Sequence, residues 1–260
     1  MIEENTKKNF SGFSRHYVPT DEGKISYLRR IGDGPTVVLI PGSFSDAEQW
    51  MDVVSLLPKT MPLVLAELCG HGGSWPPPAN GSIEQFAVDI LSITGDAQLE
   101  RFIIGGHSIG GMVALEVGRI APEHVLAIIS FEGWTCRQAA YDAFPGNVAT
   151  PPSPEKEALR NAERARVTAQ WTPEQIQSFG SIWRQWDGTA FLNSTQIPLW
   201  EVYGDRGRQR PERTLLRIPD RPNIRLRWIQ GASHDLPREC PDLVAKIILE
   251  VSEYVGKNIP

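Results

Sequence analysis

The chain has 260 residues, 41% of them hydrophobic and 22% charged, with a formal net charge of −5. This composition is typical of one globular domain that can bury a core without disulfides or metals. The mildly negative net charge argues against a nucleic-acid partner. The three cysteines are widely spaced and odd in number, which argues against a disulfide framework and favours a reducing compartment.

The first eight residues contain acids, amides and two lysines, with no apolar core behind a basic head. They do not resemble a signal peptide. No apolar run in the chain approaches the ~18 residues that a membrane span needs. The sequence therefore predicts a cytoplasmic protein without a membrane partner.

Eight short runs, most of them rich in β-branched residues, alternate with helical stretches along the chain, which predicts a mostly parallel sheet with helices on both faces. The first two runs are joined by a Gly-containing turn and are expected to form an antiparallel edge. The runs are residues 15–18, 24–30, 36–40, 63–67, 102–106, 125–131, 199–203 and 224–229. The last helical stretch, residues 242–255, closes the predicted fold.

One connection is much longer than the others. Residues 133–196 separate the sixth and seventh predicted strands, with a Pro-rich first part that includes Pro151 and Pro152 and an aromatic, helical second part. A long connection inside a compact domain is usually functional. We expect this lid segment, residues 133–196, to cover a site on a core formed by residues 1–132 and 197–260.

The sequence Gly106-His107-Ser108-Ile109-Gly110 follows the fifth predicted strand and opens a helix. Small residues on both sides allow a turn tight enough to push the serine hydroxyl outward at the helix N-terminus. This strand-turn-helix context makes the G-x-S-x-G pattern specific. Ser108 is therefore the candidate nucleophile.

With this motif the chain resembles α/β-hydrolase fold proteins from about residue 15 to residue 255. Three further loops carry the resemblance: Pro41-Gly42-Ser43-Phe44 followed by Trp50, Gly70-His71-Gly72-Gly73-Ser74, and Gly231-Ala232-Ser233-His234. It implies an oxyanion hole formed by the backbone amides of Ser43 and Ile109. Pro41 stands where relatives have a histidine, so the hydrogen bonding of this loop is expected to differ.

A serine hydroxyl is a weak nucleophile unless a base takes its proton. Among the five histidines, only His234 lies in a loop between a predicted strand and the closing helix, and the resemblance assigns the base to this position. His71 and His107 lie in loops beside the site and are expected to shape the pocket.

Two residues are candidates for the acid that orients the imidazole of His234. Most relatives carry it in a Gly-x-x-Asp sequence, but here Gly207 stands in place of the Asp, and Asp205 comes two positions early. Glu132 follows the sixth predicted strand, and its spacing from Ser108 resembles that in some lactone hydrolases. We favour Glu132, with Asp205 as the alternative acid; Glu132 could instead pair with an arginine of the lid segment.

The expected substrate is an ester or lactone of a bulky apolar or aromatic small molecule, cleaved through an acyl-enzyme. Cleavage of amides, thioesters or carbon–carbon bonds and acyl transfer use the same groups, and a non-catalytic ligand-binding homologue is a further alternative. No cofactor or metal is expected, and the oligomeric state is left open. The predicted substrate contacts are Phe44, His107, Trp134, Trp171, Phe179, Trp183 and Trp186.

Overall fold

The computed structural model describes residues 10–79, 81–145 and 153–258. The first eight residues, Pro151 and Pro152, on which some of the sequence predictions fall, lie outside this part. The described chain forms an eight-stranded sheet in the order β1-β2-β4-β3-β5-β6-β7-β8. The strands are β1 Ser14–Pro19, β2 Lys24–Arg30, β3 Thr36–Ile40, β4 Leu63–Glu67, β5 Phe102–His107, β6 Val125–Phe131, β7 Leu199–Gly204 and β8 Ile224–Ile229.

The sheet is antiparallel only at one edge. β1 pairs with β2 and β2 with β4 in antiparallel register, whereas all pairs from β4 to β8 are parallel. The mostly parallel sheet predicted from the sequence is confirmed, with strand ends shifted by one residue in β1, β5 and β7. In such a sheet the carboxyl ends of the parallel strands meet at one edge, where ligands bind.

Helices cover both faces of the sheet, as predicted. One core layer packs α2 and α3 against the sheet, and the other packs α1 and α9 against its opposite face. The helices are α1 Met51–Leu56, α2 Ile83–Asp96, α3 Ile109–Ile120, α4 Arg137–Ala143, α5 Pro154–Val167, α6 Pro173–Ser181, α7 Thr189–Ser194, α8 Leu236–Glu239 and α9 Pro241–Asn258. Within these described residues, no helix combines the length and apolar character that a membrane crossing requires.

The lid segment contains α4 to α7 between β6 and β7. α5 begins at Pro154 because the side chain of Ser153 accepts a hydrogen bond from the Lys156 amide and proline is favoured in the first turn. α6 begins with a capping box, in which Thr172 and Gln175 each bond the backbone of the other. These local signals set where the two helices start, and so which of their side chains face the carboxyl edge of the sheet.

Candidate active site

Ser108 occupies a sharp turn between β5 and α3. Its φ of 55° and ψ of −118° are unusual for an L-residue, and its amide donates a 2.8 Å hydrogen bond to the Phe131 carbonyl. A Cβ at Gly106 would lie 2.1 Å from the Gly110 oxygen, and one at Gly110 would lie 2.4 Å from the Ile40 oxygen. Only glycine fits at these two positions, and the turn presents the serine side chain at the N-terminus of α3.

The imidazole of His234 lies between Ser108 and Glu132. Its Nε2 is 3.0 Å from the Ser108 Oγ, and its Nδ1 is 3.0 Å from the Glu132 Oε2. Because an ionised carboxylate only accepts hydrogen bonds, Nδ1 carries the proton, and the Nε2 lone pair faces the serine hydroxyl. The Trp134 ring stacks on the imidazole, with 6.1 Å between centroids and 10° between planes. This geometry allows Nε2 to accept a proton from Ser108.

Glu132 is completely buried and also has a left-handed φ, of 56°. Its Oε1 accepts hydrogen bonds from the Gly204 amide at 2.7 Å and from Nη1 of Arg206 at 3.1 Å. Its Oε2 accepts one from Nη2 of Arg206 at 2.6 Å, in addition to the imidazole contact. A buried carboxylate is unfavourable unless it is paired, so the equally buried Arg206 both compensates its charge and sets its orientation.

The loop after β7 brings a different type of residue to the site from the one that the sequence predicts. It brings Arg206, not an acid, to Glu132, and the motifs give no indication of this arginine. Glu132 therefore does pair with an arginine, but with one outside the lid segment, while it also contacts His234. The guanidinium of Arg206 is held 3.8 Å from the centroid of the Phe144 ring.

Asp205, the alternative acid, is not brought to His234. Its Oδ1 accepts hydrogen bonds from the amides of Gly231 at 2.7 Å and Gly207 at 3.0 Å, and its Oδ2 from Arg210 at 3.3 Å. Desolvation opposes ionisation, but these three donors outweigh it and lower the pKa of Asp205. The carboxylate joins the loops after β7 and β8, which is a structural role.

The loop after β3 supplies one of the two amides expected to form the oxyanion hole. Among the hydrogen bonds formed within the described residues, none is donated by the amides of Ser43 or Ile109. The next amide, of Phe44, donates to Nε2 of His71 at 3.2 Å, while Nδ1 of His71 lies 2.9 Å from the Cys69 carbonyl. Burial lowers the pKa of His71 to about 4, so this ring is neutral and can accept at Nε2.

The side chain of Gln49 supports this loop, in which Pro41 precedes Gly42. Its Oε1 accepts from the Gly42 amide at 2.8 Å, and its Nε2 lies 3.0 Å from Nδ1 of His107. Nε2 of His107 in turn donates to the His234 carbonyl at 2.7 Å. Burial and the neighbouring His234 lower the pKa of His107 well below its usual value, which matches a neutral ring with an acceptor at Nδ1. Gln49 therefore links all three loops of the site, and no sequence motif singles it out.

A cavity of about 570 Å³ opens beside Ser108 and His234. Loops of the core form one wall, with Gly42, Ser43, Phe44, Ser45, Gln49, His107, Asp235 and Arg238. The lid segment forms the other wall, with Arg160, Asn161, Arg164, Gly180 and Trp183. The residues that line this cavity are more polar and more cationic than the sequence predicts. The reason is that the side chains of α5 that line it include two arginines and no aromatic residue.

Of the predicted substrate contacts, Phe44, His107 and Trp183 line this cavity, and Trp134 lies against His234. The structure corrects the prediction for Trp171, Phe179 and Trp186. Trp171 and Phe179 are buried against each other and against Phe44, and the Trp171 Nε1 donates to the Gly70 carbonyl. Trp186 donates from Nε1 to the buried Glu116 at 3.0 Å. These three side chains attach the lid segment to the core.

The sheet order, the turn at Ser108 and the Ser108–His234–Glu132 contacts together match the architecture of a known family. A family model described as the alpha/beta hydrolase family matches residues 37–247. The chain belongs to the α/β-hydrolase family.

Several known proteins are similar to parts or to the whole of the chain. A dihydrolipoyllysine-residue acetyltransferase component of the acetoin cleaving system of Cupriavidus necator is 30% identical over 112 residues, 43% of this chain and 30% of that protein. The chain spans between 30% and 40% of the length of the curated relatives compared with it.

Two solved structures share the fold along nearly all of the chain. Est816, described as an N-acyl homoserine lactone degrading enzyme, has a TM-score of 0.71 and 21% identity, covering 90% of this chain and 99% of its own. The enol-lactonase from Burkholderia xenovorans has a TM-score of 0.73 and 18% identity, covering 91% and 99%. At these identities the likeness concerns the fold alone.

Proposed function

We propose that this protein is a hydrolase that cleaves a carboxylic ester or lactone through an acyl-enzyme, with Ser108 as nucleophile, His234 as general base and Glu132 as the acid that orients the imidazole. One observation carries the proposal: Ser108 Oγ, the imidazole and the Glu132 carboxylate form a continuous chain with 3.0 Å at each of its two links. The two lactone-cleaving structural neighbours support the choice of reaction by analogy only.

In the proposed reaction Ser108 Oγ attacks the carbonyl carbon while Nε2 of His234 takes its proton. The amides of Ser43 and Ile109 donate to the negative oxygen of the tetrahedral intermediate. The imidazolium then protonates the leaving alkoxide, and an acyl-serine ester remains. His234 next removes a proton from water, whose oxygen attacks the acyl carbon. The bond between the acyl carbon and Ser108 Oγ then breaks, the imidazolium returns the proton to Oγ, and the acid is released. A lactone would yield a single hydroxy acid, because its leaving group stays attached.

The lid segment has a defined part in this proposal. It covers the carboxyl edge of the sheet and contributes five of the fifteen residues that line the cavity, from α5, from α6 and from the turn after α6. Phe44 from the core and Trp183 from the lid segment provide apolar surface for a bulky or aromatic portion of the substrate.

The proposal is tested with a fluorophosphonate probe and a panel of p-nitrophenyl esters and lactones. Wild-type protein should be labelled and should turn over at least one of them, while Ser108→Ala should lose labelling and at least about a thousandfold in kcat/KM. Ser92→Ala removes an exposed hydroxyl from α2 and should behave like wild type. Turnover that survives in Ser108→Ala would reject the nucleophile, and binding without labelling or turnover would favour the ligand-binding homologue.

A further inference from the structure

The cavity beside Ser108 has an unbalanced charge. Three guanidinium groups line it, from Arg160, Arg164 and Arg238, against one carboxylate, from Asp235. Such a concentration of one sign of charge in a partly enclosed cleft attracts ligands of the opposite sign.

Arg238 already has carboxylate partners. It pairs with Asp235 at 2.9 Å and with the buried Glu163 behind the cavity wall. The positive charge of Arg238 is therefore largely compensated within the protein. The excess positive charge of the cavity comes from Arg160 and Arg164, the two arginines of the lid segment that line it.

Arg160 and Arg164 are one turn apart on α5 and both face the cavity. Within the described part of the chain neither forms a hydrogen bond or an ion pair with a carboxylate, whereas Arg166 on the same helix pairs with Asp46 and with Glu48. Two like charges at this spacing disfavour each other. Asp235 attracts the charge of Arg160, but its carboxylate is already paired with Arg238.

The guanidinium of Arg164 lies over the Phe44 ring and lines the same cavity as Ser108. It lies 4.4 Å from the centroid of the Phe44 ring, and Phe44 directly follows Ser43 of the expected oxyanion hole. Asn161, one residue after Arg160, adds an amide donor to the same wall. Cationic and neutral donors that converge on one space in this way match the oxygens of a carboxylate or phosphate.

We infer that the substrate carries an anionic oxygen group, a carboxylate or a phosphate, which Arg160 and Arg164 bind while the scissile carbonyl lies at Ser108. This inference rests on the proposed function and narrows its substrate class. The apolar part of the substrate contacts Phe44 and Trp183, and the anionic group points towards α5. The substrate is thus an amphiphilic ester or lactone, in contrast to the purely apolar one expected from the aromatic composition of the lid segment.

The test compares three p-nitrophenyl esters of equal acyl chain length: the neutral valerate, the hemiglutarate with a terminal carboxylate, and an analogue with a terminal phosphonate. Wild-type protein should prefer one or both anionic esters over the valerate. Arg160→Gln/Arg164→Gln should lower kcat/KM for the anionic esters at least about tenfold and for the valerate less than about twofold. Arg164→Glu should weaken the anionic preference further, and Lys246→Gln, which removes an exposed charge from α9, should leave it unchanged.

The outcomes separate this inference from the proposed function. If all three esters are hydrolysed by Ser108 but the double variant slows them equally, the anionic substrate class is rejected and the serine hydrolase stands. If Ser108→Ala hydrolyses the esters as fast as wild type does, the proposed function fails. Calorimetric titration of Ser108→Ala with monomethyl glutarate gives a readout independent of turnover: binding should be lost in the Arg160→Gln/Arg164→Gln background, and equal binding in both would also reject the inference. The preferred ester identifies the anion as carboxylate or phosphate.

Discussion

The core wall and the lid wall of the cavity hold their side chains in different ways. On the core wall and directly behind it, Ser108 and Glu132 have left-handed backbone conformations, and His234 and Gln49 are held by hydrogen bonds from several loops. On the lid wall, the arginines project from an exposed face of α5.

This difference separates two tasks. Groups that move a proton must be held to within a fraction of an ångström, which buried contacts and constrained backbone achieve. Groups that select a substrate by charge can act from exposed helix positions and can change without disturbing the reacting centre. We therefore expect core-wall substitutions to change kcat and lid-wall substitutions to change substrate preference.

The largest effect is expected from the two carboxylates that were candidates for the orienting acid, Glu132 and Asp205. Glu132→Gln replaces the group that accepts the Nδ1 proton, so the imidazole loses its orienting partner and the imidazolium its stabilising charge. The loss in kcat should be at least about a hundredfold. Asp205→Asn keeps an oxygen for the amides of Gly207 and Gly231 and should keep kcat within about twofold. Steady-state kinetics on the best ester of the panel measure both.

Glu132→Gln also leaves Arg206 without its buried anion, so folding is measured beside activity. Thermal unfolding and fluorophosphonate labelling show whether an inactive variant is still folded. A larger loss in Asp205→Asn than in Glu132→Gln, with both variants folded, would transfer the role to Asp205.

A smaller effect is expected from Gln49, which acts on the reacting groups only through others. Gln49→Leu removes the acceptor for the Gly42 amide and the donor to His107, so the loop with the Ser43 amide loses its support. We expect kcat to fall about tenfold with little change in KM, because the loop donates most strongly to the transition state. Gln85→Leu, at an exposed position of α2, is the matched control. A change in KM alone would indicate that Gln49 shapes binding and not the oxyanion hole.

The core residues and the lid residues of the site also differ in how well they can be predicted from the sequence. Ser108 and its neighbouring glycines are recognisable because the turn tolerates no other residue type where backbones approach closely. Glu132 is recognisable because a carboxylate at the end of a buried strand needs a partner. These features depend on backbone geometry that short motifs encode.

Arg206 and Gln49 are not predictable in the same way, since their partners come from loops far apart in the sequence. The lid aromatics show a second reason. Their size and apolar character indicate that Trp171 and Phe179 are buried. Whether they face the core or the cavity depends on how the lid segment packs on the core, and no local sequence pattern specifies that packing.

The smallest effect is expected from Trp186, which attaches the lid segment to the core and is not among the residues that line the cavity. Trp186→Phe removes the donor to the buried Glu116, which should lower the free energy of unfolding by about 1 kcal/mol while kcat and KM stay unchanged. Trp183→Phe, the matched change inside the cavity, should raise KM a few-fold with little effect on stability, because Trp183 is half-buried and lines the cavity. Denaturant unfolding and ester kinetics on both variants separate the two roles. If Trp186→Phe changed KM as Trp183→Phe does, Trp186 would contact the substrate, and the division between attachment and selection within the lid segment would not hold.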